Sequence, residues 1–218
     1  MTHSQTERCR LVLIAPEGKT GADFAAMLEA ALAADDVASV IFPGYGMDDA
    51  AYQRHLETCA PVAQACGAAA LAVNDTRAFG RCGADGLHVD SGLQDIADAI
   101  EKANGQWIVG AGGAETRHRA LEIGELRPDY IFFGRFGLDT RPEPHRRNLA
   151  LAEWWAAMVE IPCIVMGGAS LDTLHQAAET GAEFVALSRA VFGEGTDPAA
   201  AVSQANRILE KHELTEGA

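Results

Sequence analysis

Eight short apolar runs recur along this chain, each followed by a stretch with apolar residues at three- and four-residue spacing. The runs are Leu11–Ala15, Ala38–Phe42, Ala69–Val73, Gly86–Val89, Trp107–Gly110, Tyr130–Gly134, Cys163–Met166 and Phe184–Leu187. They are continuous rather than alternating, as strands buried on both faces are. The stretches between them are alanine-rich and helical in period, for example Ala22–Ala34, Asp49–Ala65, Gln94–Ala103, Glu115–Ile123 and Ser170–Thr180, with Pro198–Lys211 as the last. Parallel strands need long crossovers, and these helices supply them. Eight such units in 218 residues predict an α/β fold, a single-domain (β/α)8 TIM barrel over residues 1–218. A doubly wound open sheet is the alternative. It would want a glycine-rich dinucleotide turn after the first strand, where Ala15-Pro16-Glu17-Gly18-Lys19 stands instead.

A hydrophobic fraction of 48% is ample for a large core. The net charge of −14 argues against nucleic acid and anionic membrane as partners. No apolar run reaches the ~18 residues of a spanning helix, and the start, Met1 to Arg8, is polar, so a cytoplasmic protein is expected. The partners left are a small phosphorylated molecule and further copies of the same chain in a homo-oligomer. Cys9, Cys59, Cys66, Cys82 and Cys163 are odd in number and lack C-x-x-C spacing, so small core residues are expected rather than a disulfide framework or a zinc site.

In a barrel of this kind the active site lies at the C-terminal strand ends, with phosphate held by the last two βα turns. The seventh run stops at Gly167-Gly168-Ala169-Ser170 and the eighth at Ser188-Arg189-Ala190. Glycine lets backbone approach an anion, and the N–H groups of a following helix point at it; the alternative is a pair of tight turns with nothing bound. The third run ends in Asn74-Asp75, either a helix cap or a holder of Mg2+ and polar ligand edges. His88 is expected to donate to a backbone carbonyl in the barrel mouth, and Asp90 to cap the fourth helix or face the site. After the sixth run, Arg135, Arg141, Arg146 and Arg147 place four of 17 basic residues within 13 positions. Such a loop suits phosphate or carboxylate recognition through paired hydrogen bonds, or else makes surface ion pairs.

The stretch Val73-Asn74-Asp75-Thr76-Arg77-Ala78, followed by Gly83-Ala84-Asp85-Gly86-Leu87-His88-Val89, resembles the N-D and G-A-D-G-x-H-[LV] motifs of the thiamine phosphate synthase/TenI family. Asp129–Gly134, Ile161–Ser170 and Gly181–Ala190 resemble further family motifs in the same order, over nearly the whole chain. The resemblance implies a barrel that joins a hydroxymethylpyrimidine diphosphate to a thiazole phosphate. Pyrophosphate leaves with the help of Mg2+, and the thiazole nitrogen traps the pyrimidine cation. It also implies that Gly167, Gly168, Ser188 and Arg189 bind the thiazole phosphate. Asn74 and Asp75 would serve the diphosphate, with Asp75 a Mg2+ ligand, and Arg141 would stand at the lysine of the sixth loop; these three are the candidate catalytic residues. His88, Gly112, Arg135 and Thr140 fall at other ligand-binding positions.

Departures from the family fall mainly on the diphosphate half. The Q-x-R-x-K that ends the family's second strand is Ile41-Phe42-Pro43-Gly44-Tyr45 here, without either cation. The Q-x-D after the fourth strand is Ser91-Gly92-Leu93, and the serine of a G-x-S turn is Gly112. The expectation is a thiamine-phosphate-synthase-like protein of thiamine biosynthesis that binds a phosphorylated thiazole-type ligand, with the standard coupling weak, altered or absent. The competing classes are a non-catalytic binding or regulatory barrel and another enzyme of small phosphorylated metabolites, such as a sugar-phosphate isomerase.

Overall fold

A computed structural model describes residues 8–216, with side chains to 211. The start of the chain, on which the expectation of no leader rests, lies outside them apart from Arg8. The strands are β1 (Arg10–Ile14), β2 (Ser39–Phe42), β3 (Ala69–Val73), β4 (Gly86–Val89), β5 (Ile108–Ala111), β6 (Tyr130–Phe133), β7 (Cys163–Met166) and β8 (Phe184–Leu187). Each pairs in parallel with the next, and β8 closes on β1. The helices are α1 (Gly21–Leu32), α2 (Asp49–Ala65), α3 (Thr76–Cys82), α4 (Leu93–Ala103), α5 (Arg117–Glu125), α6 (Arg146–Met158), α7 (His175–Ala178), α8 (Arg189–Phe192) and α9 (Pro198–Glu216). The helix expected over Ser170–Thr180 is broken into a 3-10 turn, Leu171–Thr173, and the single turn of α7. No helix among the described residues is long and apolar enough to cross a membrane.

The pleat divides each run between two cores. Leu11, Leu13, Val40, Phe42, Ala70, Ala72, Ile131, Phe133, Val165 and Leu187 pack outward in the layer between strands and helices. Val12, Ile14, Ile41, Leu71, Val73, Tyr130, Phe132, Ile164, Met166 and Ala186 form the separate core inside the barrel. Both faces are therefore apolar, which is why the strands do not alternate in sequence.

The interior is filled unevenly. Gly86 and Gly110 stand at inward positions of β4 and β5, where a Cβ on Gly110 would overlap the Tyr130 ring. Gly110 thus admits the Tyr130 ring from the neighbouring β6, and Gly86 makes room for Ile108 and Leu71. At the opposite, N-terminal face, acidic residues ahead of three strands hold neighbouring amides. Asp85 accepts from Ala70 N–H at 2.8 Å, Asp129 from Val109 N–H at 2.7 Å and Glu183 from Cys163 N–H at 2.8 Å. These carboxylates of the family-like motifs stabilise the barrel floor, the face remote from chemistry in this fold. Of the cysteines, Cys59 and Cys163 are buried and Cys9 and Cys82 partly so, whereas Cys66 is exposed, against the expectation of a core role.

Candidate functional site

The turns after β7 and β8 are covered by the segment between β6 and α6, residues 134–145, which crosses them as a strap. Its Arg141 carbonyl accepts from Ala169 N–H at 2.8 Å, and its Pro142 carbonyl accepts from Ser170 N–H at 3.3 Å and the Thr173 hydroxyl at 2.7 Å. Gly168 lies directly beneath, and a Cβ there would overlap the Pro142 carbonyl. Gly167 is equally confined, since its Cβ would stand 2.6 Å from Leu187. Gly168 thus permits close approach of the strap's backbone, and Gly167 that of β8. Ser188 is buried at the end of β8, and the Arg189 side chain is half exposed.

Asp139, which the sequence reading passed over between Leu138 and Thr140, reaches the β8 turn. One carboxylate oxygen accepts from Arg189 N–H at 2.8 Å, and the other lies 3.8 Å from Arg189 Nε. The side chain is 1% exposed, and Oδ1 has no hydrogen-bond partner. Beside it stands Tyr45, from the β2–α2 turn, at a positive φ of 44° and 3.3 Å from where a Cβ on Gly137 would sit. Its buried hydroxyl has no partner either. Burial raises the Tyr45 phenol above its ordinary range, and the charges of Asp139 and Glu17 add to this. Tyrosine therefore occupies, as a neutral group, the turn where the family motif carries cations.

Arg135, Asp139, Thr140, Arg141, Arg146 and Arg147 share a cavity of about 880 Å3 with Met166 and Gly167. Arg135 and Arg147 reach the single carboxylate of Glu115 at 3.9 and 4.0 Å, all three side chains being at least half exposed. No side-chain hydrogen bond or ion pair engages Arg141 or Arg146 among the described residues. Arg146 and Arg147 lie in the first turn of α6, where positive charge opposes the helix dipole and an anion would relieve it.

On the other side of the mouth, Asn74 and Asp75 line a cleft of about 490 Å3 with Gly44, Tyr45 and Arg77. Only Asp75 caps α3, its Oδ1 accepting from Arg77 and Ala78 N–H at 2.9 Å each. Asn74 stands at φ 58° and clasps Asp90 instead. Its amide donates to Asp90 Oδ1 at 2.6 Å, and its carbonyl oxygen accepts from Asp90 N–H at 3.0 Å. Asp90 therefore does not cap α4, whose N-cap is Gly92. Among the described residues no group of three His, Cys, Asp or Glu could hold a metal. Mg2+ commonly keeps its waters and takes one or two carboxylates plus substrate phosphates. The second Asp75 oxygen fits that role, and the site does not form a cage for a resident ion.

His88 is buried within the barrel rather than at its rim, opposite Gly110 in the β4–β5 register. Its Nδ1 meets the Tyr130 hydroxyl at 2.9 Å, not the backbone carbonyl expected from sequence, and Nε2 has no partner. Gly112 exists for this ring, because a Cβ there would sit 2.7 Å from Nε2. Phe132 and Phe136 meet it edge-on, with Phe136 stacked on Phe132 at 5.2 Å. Burial pushes the imidazole down to about 4, with Asp90 opposing weakly, so His88 is neutral near pH 7. A neutral histidine enclosed in this way orders the aromatic cluster of the barrel interior and supplies no positive charge.

The predicted residues thus fall into two clefts and a buried ring cluster. Gly167, Arg135, Thr140 and Arg141 line one cleft, Asn74 and Asp75 the other, with His88 and Gly112 between strands at the barrel centre. Tyr130, Phe136 and Asp139 were missed as site residues. Tyr130 sits in the Asp129–Gly134 motif but reads there as a strand residue, and a buried loop carboxylate such as Asp139 has the same sequence signal as a capping one.

Comparison with known proteins agrees with the architecture. A family model described as thiamine monophosphate synthase matches residues 11–191. The thiamine-phosphate synthase of Rhodospirillum centenum is 34% identical over 202 residues, covering 92% of this chain and 98% of that one. The enzyme of the same name from Hyphomonas neptunium is 34% identical over 211 residues, 93% of this chain and 95% of its own. Among solved structures, thiamine phosphate pyrophosphorylase from Pyrococcus furiosus shares the fold with a TM-score of 0.78 at 19% identity, over 95% of this chain and 98% of that one. With matching motifs, barrel and relatives along nearly its full length, the chain belongs to the thiamine monophosphate synthase family.

Proposed function

We propose that this protein binds a small phosphorylated molecule of the thiazole phosphate type at the turns after β7 and β8, and that it couples this ligand to a pyrimidine diphosphate only slowly. The observation that carries the second half is Tyr45, whose neutral phenol, its hydroxyl buried, stands at the turn where the family motif supplies cations. In the coupling the methylene C–O bond breaks, its electron pair leaves with pyrophosphate, and the thiazole nitrogen forms the new C–N bond. Charge therefore concentrates on the leaving group, and stabilising it is the protein's main task. Asp75 would hold Mg2+ together with substrate oxygens, and the ion would neutralise part of the diphosphate charge. Arg135, Arg141, Arg146 and Arg147 are the remaining cations, and the Arg141 backbone is tied to the β7 turn by its contact with Ala169. Thr140 would bind beside it, while Asn74, by holding Asp90, fixes the rim next to Asp75. His88, set by Tyr130, would support the aromatic floor beneath the pyrimidine ring rather than touch it.

A purely binding role is favoured by the same substitution at Tyr45. One assay separates the readings. Product is followed by mass spectrometry with pyrimidine diphosphate, thiazole phosphate and Mg2+, beside the Rhodospirillum centenum relative. Each lost charge-assisted bond is worth ~1.5–3 kcal/mol, or roughly tenfold to a hundredfold in rate. Two missing cations predict a rate at least a hundredfold lower, which Arg141→Ala abolishes. A rate equal to the relative's would overturn the slow-coupling reading, and no product at all would leave the binding role.

A further inference from the structure

Three of the amides at these turns are already engaged by the strap. Ala169 and Ser170 N–H donate to strap carbonyls, and Arg189 N–H donates to Asp139 at 2.8 Å. The third contact differs in kind. A backbone N–H together with a guanidinium is the donor set that recognises a phosphate monoester. Asp139 presents a carboxylate to that set, with Oδ2 on the amide and Oδ1 3.8 Å from Nε. Its Oδ1 is nonetheless buried without a hydrogen-bond partner, so the carboxylate satisfies the donors poorly and is poorly satisfied in return. Nearby Tyr45 also keeps a buried hydroxyl without a partner, close enough for the Asp139 charge to raise its phenol. Buried anions that lack half their hydrogen bonds are costly to keep. A phosphate would bring three acceptor oxygens to the same donors, while Asp139, released, would regain water.

We propose that Asp139 is an internal occupant of the phosphate position, so that the closed strap and a phosphorylated ligand exclude each other at Arg189. The inference rests on the phosphate-site reading above and adds what fills that site before a ligand arrives. Phosphate binding then opens the strap and frees Arg141 and its neighbours from their closed placement. The strap's residues have no reason to be fixed around the ligand in the arrangement seen here.

The test is calorimetric titration of inorganic phosphate into the wild type, Asp139→Asn and Asp139→Ser, with circular dichroism to establish that each is folded. Asparagine keeps the shape and the acceptor for Arg189 N–H but removes the competing charge; serine removes the reach as well. Binding roughly tenfold to a hundredfold tighter in both variants is expected, the value of one charge-assisted hydrogen bond. Adding Arg189→Ala to Asp139→Asn should erase the gain. If the wild type binds phosphate and both variants bind it no better, the exclusion is wrong and the phosphate site stands. If neither wild type nor variants bind, the phosphate site is wrong and the exclusion falls with it.

Discussion

His88 makes folding stability depend on pH in a way one substitution can isolate. Its ring lies wholly inside the barrel against Tyr130, Phe132 and Phe136, and burial lowers it from an ordinary 6.5 to about 4. Above pH 6.5 the ring is neutral in both folded and unfolded chains and contributes no pH dependence. As pH falls from 6.5 toward 4, the unfolded chain takes up a proton that the folded barrel refuses, so stability is lost across that window and levels off below it. At ~1.4 kcal/mol per tenfold change in proton concentration, the loss from pH 7 to pH 4.5 is about 2 kcal/mol from this residue alone. His88→Gln removes the titration while leaving an amide able to reach the Tyr130 hydroxyl. Urea unfolding followed by the fluorescence of Trp107, Trp154 and Trp155 should show the variant less stable at pH 7. It should also show a difference from wild type that shrinks by about 2 kcal/mol at pH 4.5. His55, also pushed down by burial, acts equally in both proteins and cancels in the difference, as do the carboxylates other than Asp90, whose charge faces His88. Parallel curves for the two proteins would refute the argument.

Two further outcomes follow from backbone geometry. Gly168→Ala places a Cβ into the Pro142 carbonyl and should lower stability by about 1–3 kcal/mol, read as a lower urea midpoint; an unchanged midpoint would mean the strap does not close on this turn. Asn74 combines a left-handed backbone with two hydrogen bonds to Asp90, so Asn74→Gly loses the bonds alone and Asn74→Ala adds about 1 kcal/mol of strain. Equal midpoints for the two variants would remove the strain from the account.

Most of the barrel was legible because two-sided burial writes continuous apolar runs, and strand limits shifted by no more than a residue at either end. The helix after β7 was not, since the alanine-rich period of Ser170–Thr180 carries no mark of the 3-10 turn that Ser170 starts by accepting from Asp172 N–H. At the site, positions were legible and partners were not. The N-D and G-x-H patterns located Asn74, Asp75 and His88 without revealing that Asn74 would pair with Asp90 or His88 with Tyr130. Those pairings join different strands, and sequence spacing carries no information about which inward positions face one another. Glycine was the partial exception. Gly110 and Gly112 could have signalled that a ring crosses from another strand, as Tyr130 and His88 do.

Under the proposed slow coupling, the charge count of the arginine-rich strap would not by itself restore the rate. A cation fixed at a strand end is held by the ladder and needs no reorganisation when charge develops on a leaving group. Here Arg135 and Arg147 are at least half exposed and share one carboxylate at 3.9–4.0 Å, and Arg146 and Arg147 start a helix whose dipole they oppose. Such groups gather an anion well, because the bound anion also relieves their mutual repulsion. They gather substrate and leaving pyrophosphate alike, and binding that is equal in ground and transition states lowers KM without raising kcat. The strap can reach a preorganised state only by closing, and in the closed state Asp139 already holds Arg189. Under the two proposals, affinity for phosphorylated ligands and speed of coupling would be set by different residues, the first by Asp139 and Arg189, the second by what stands at Tyr45.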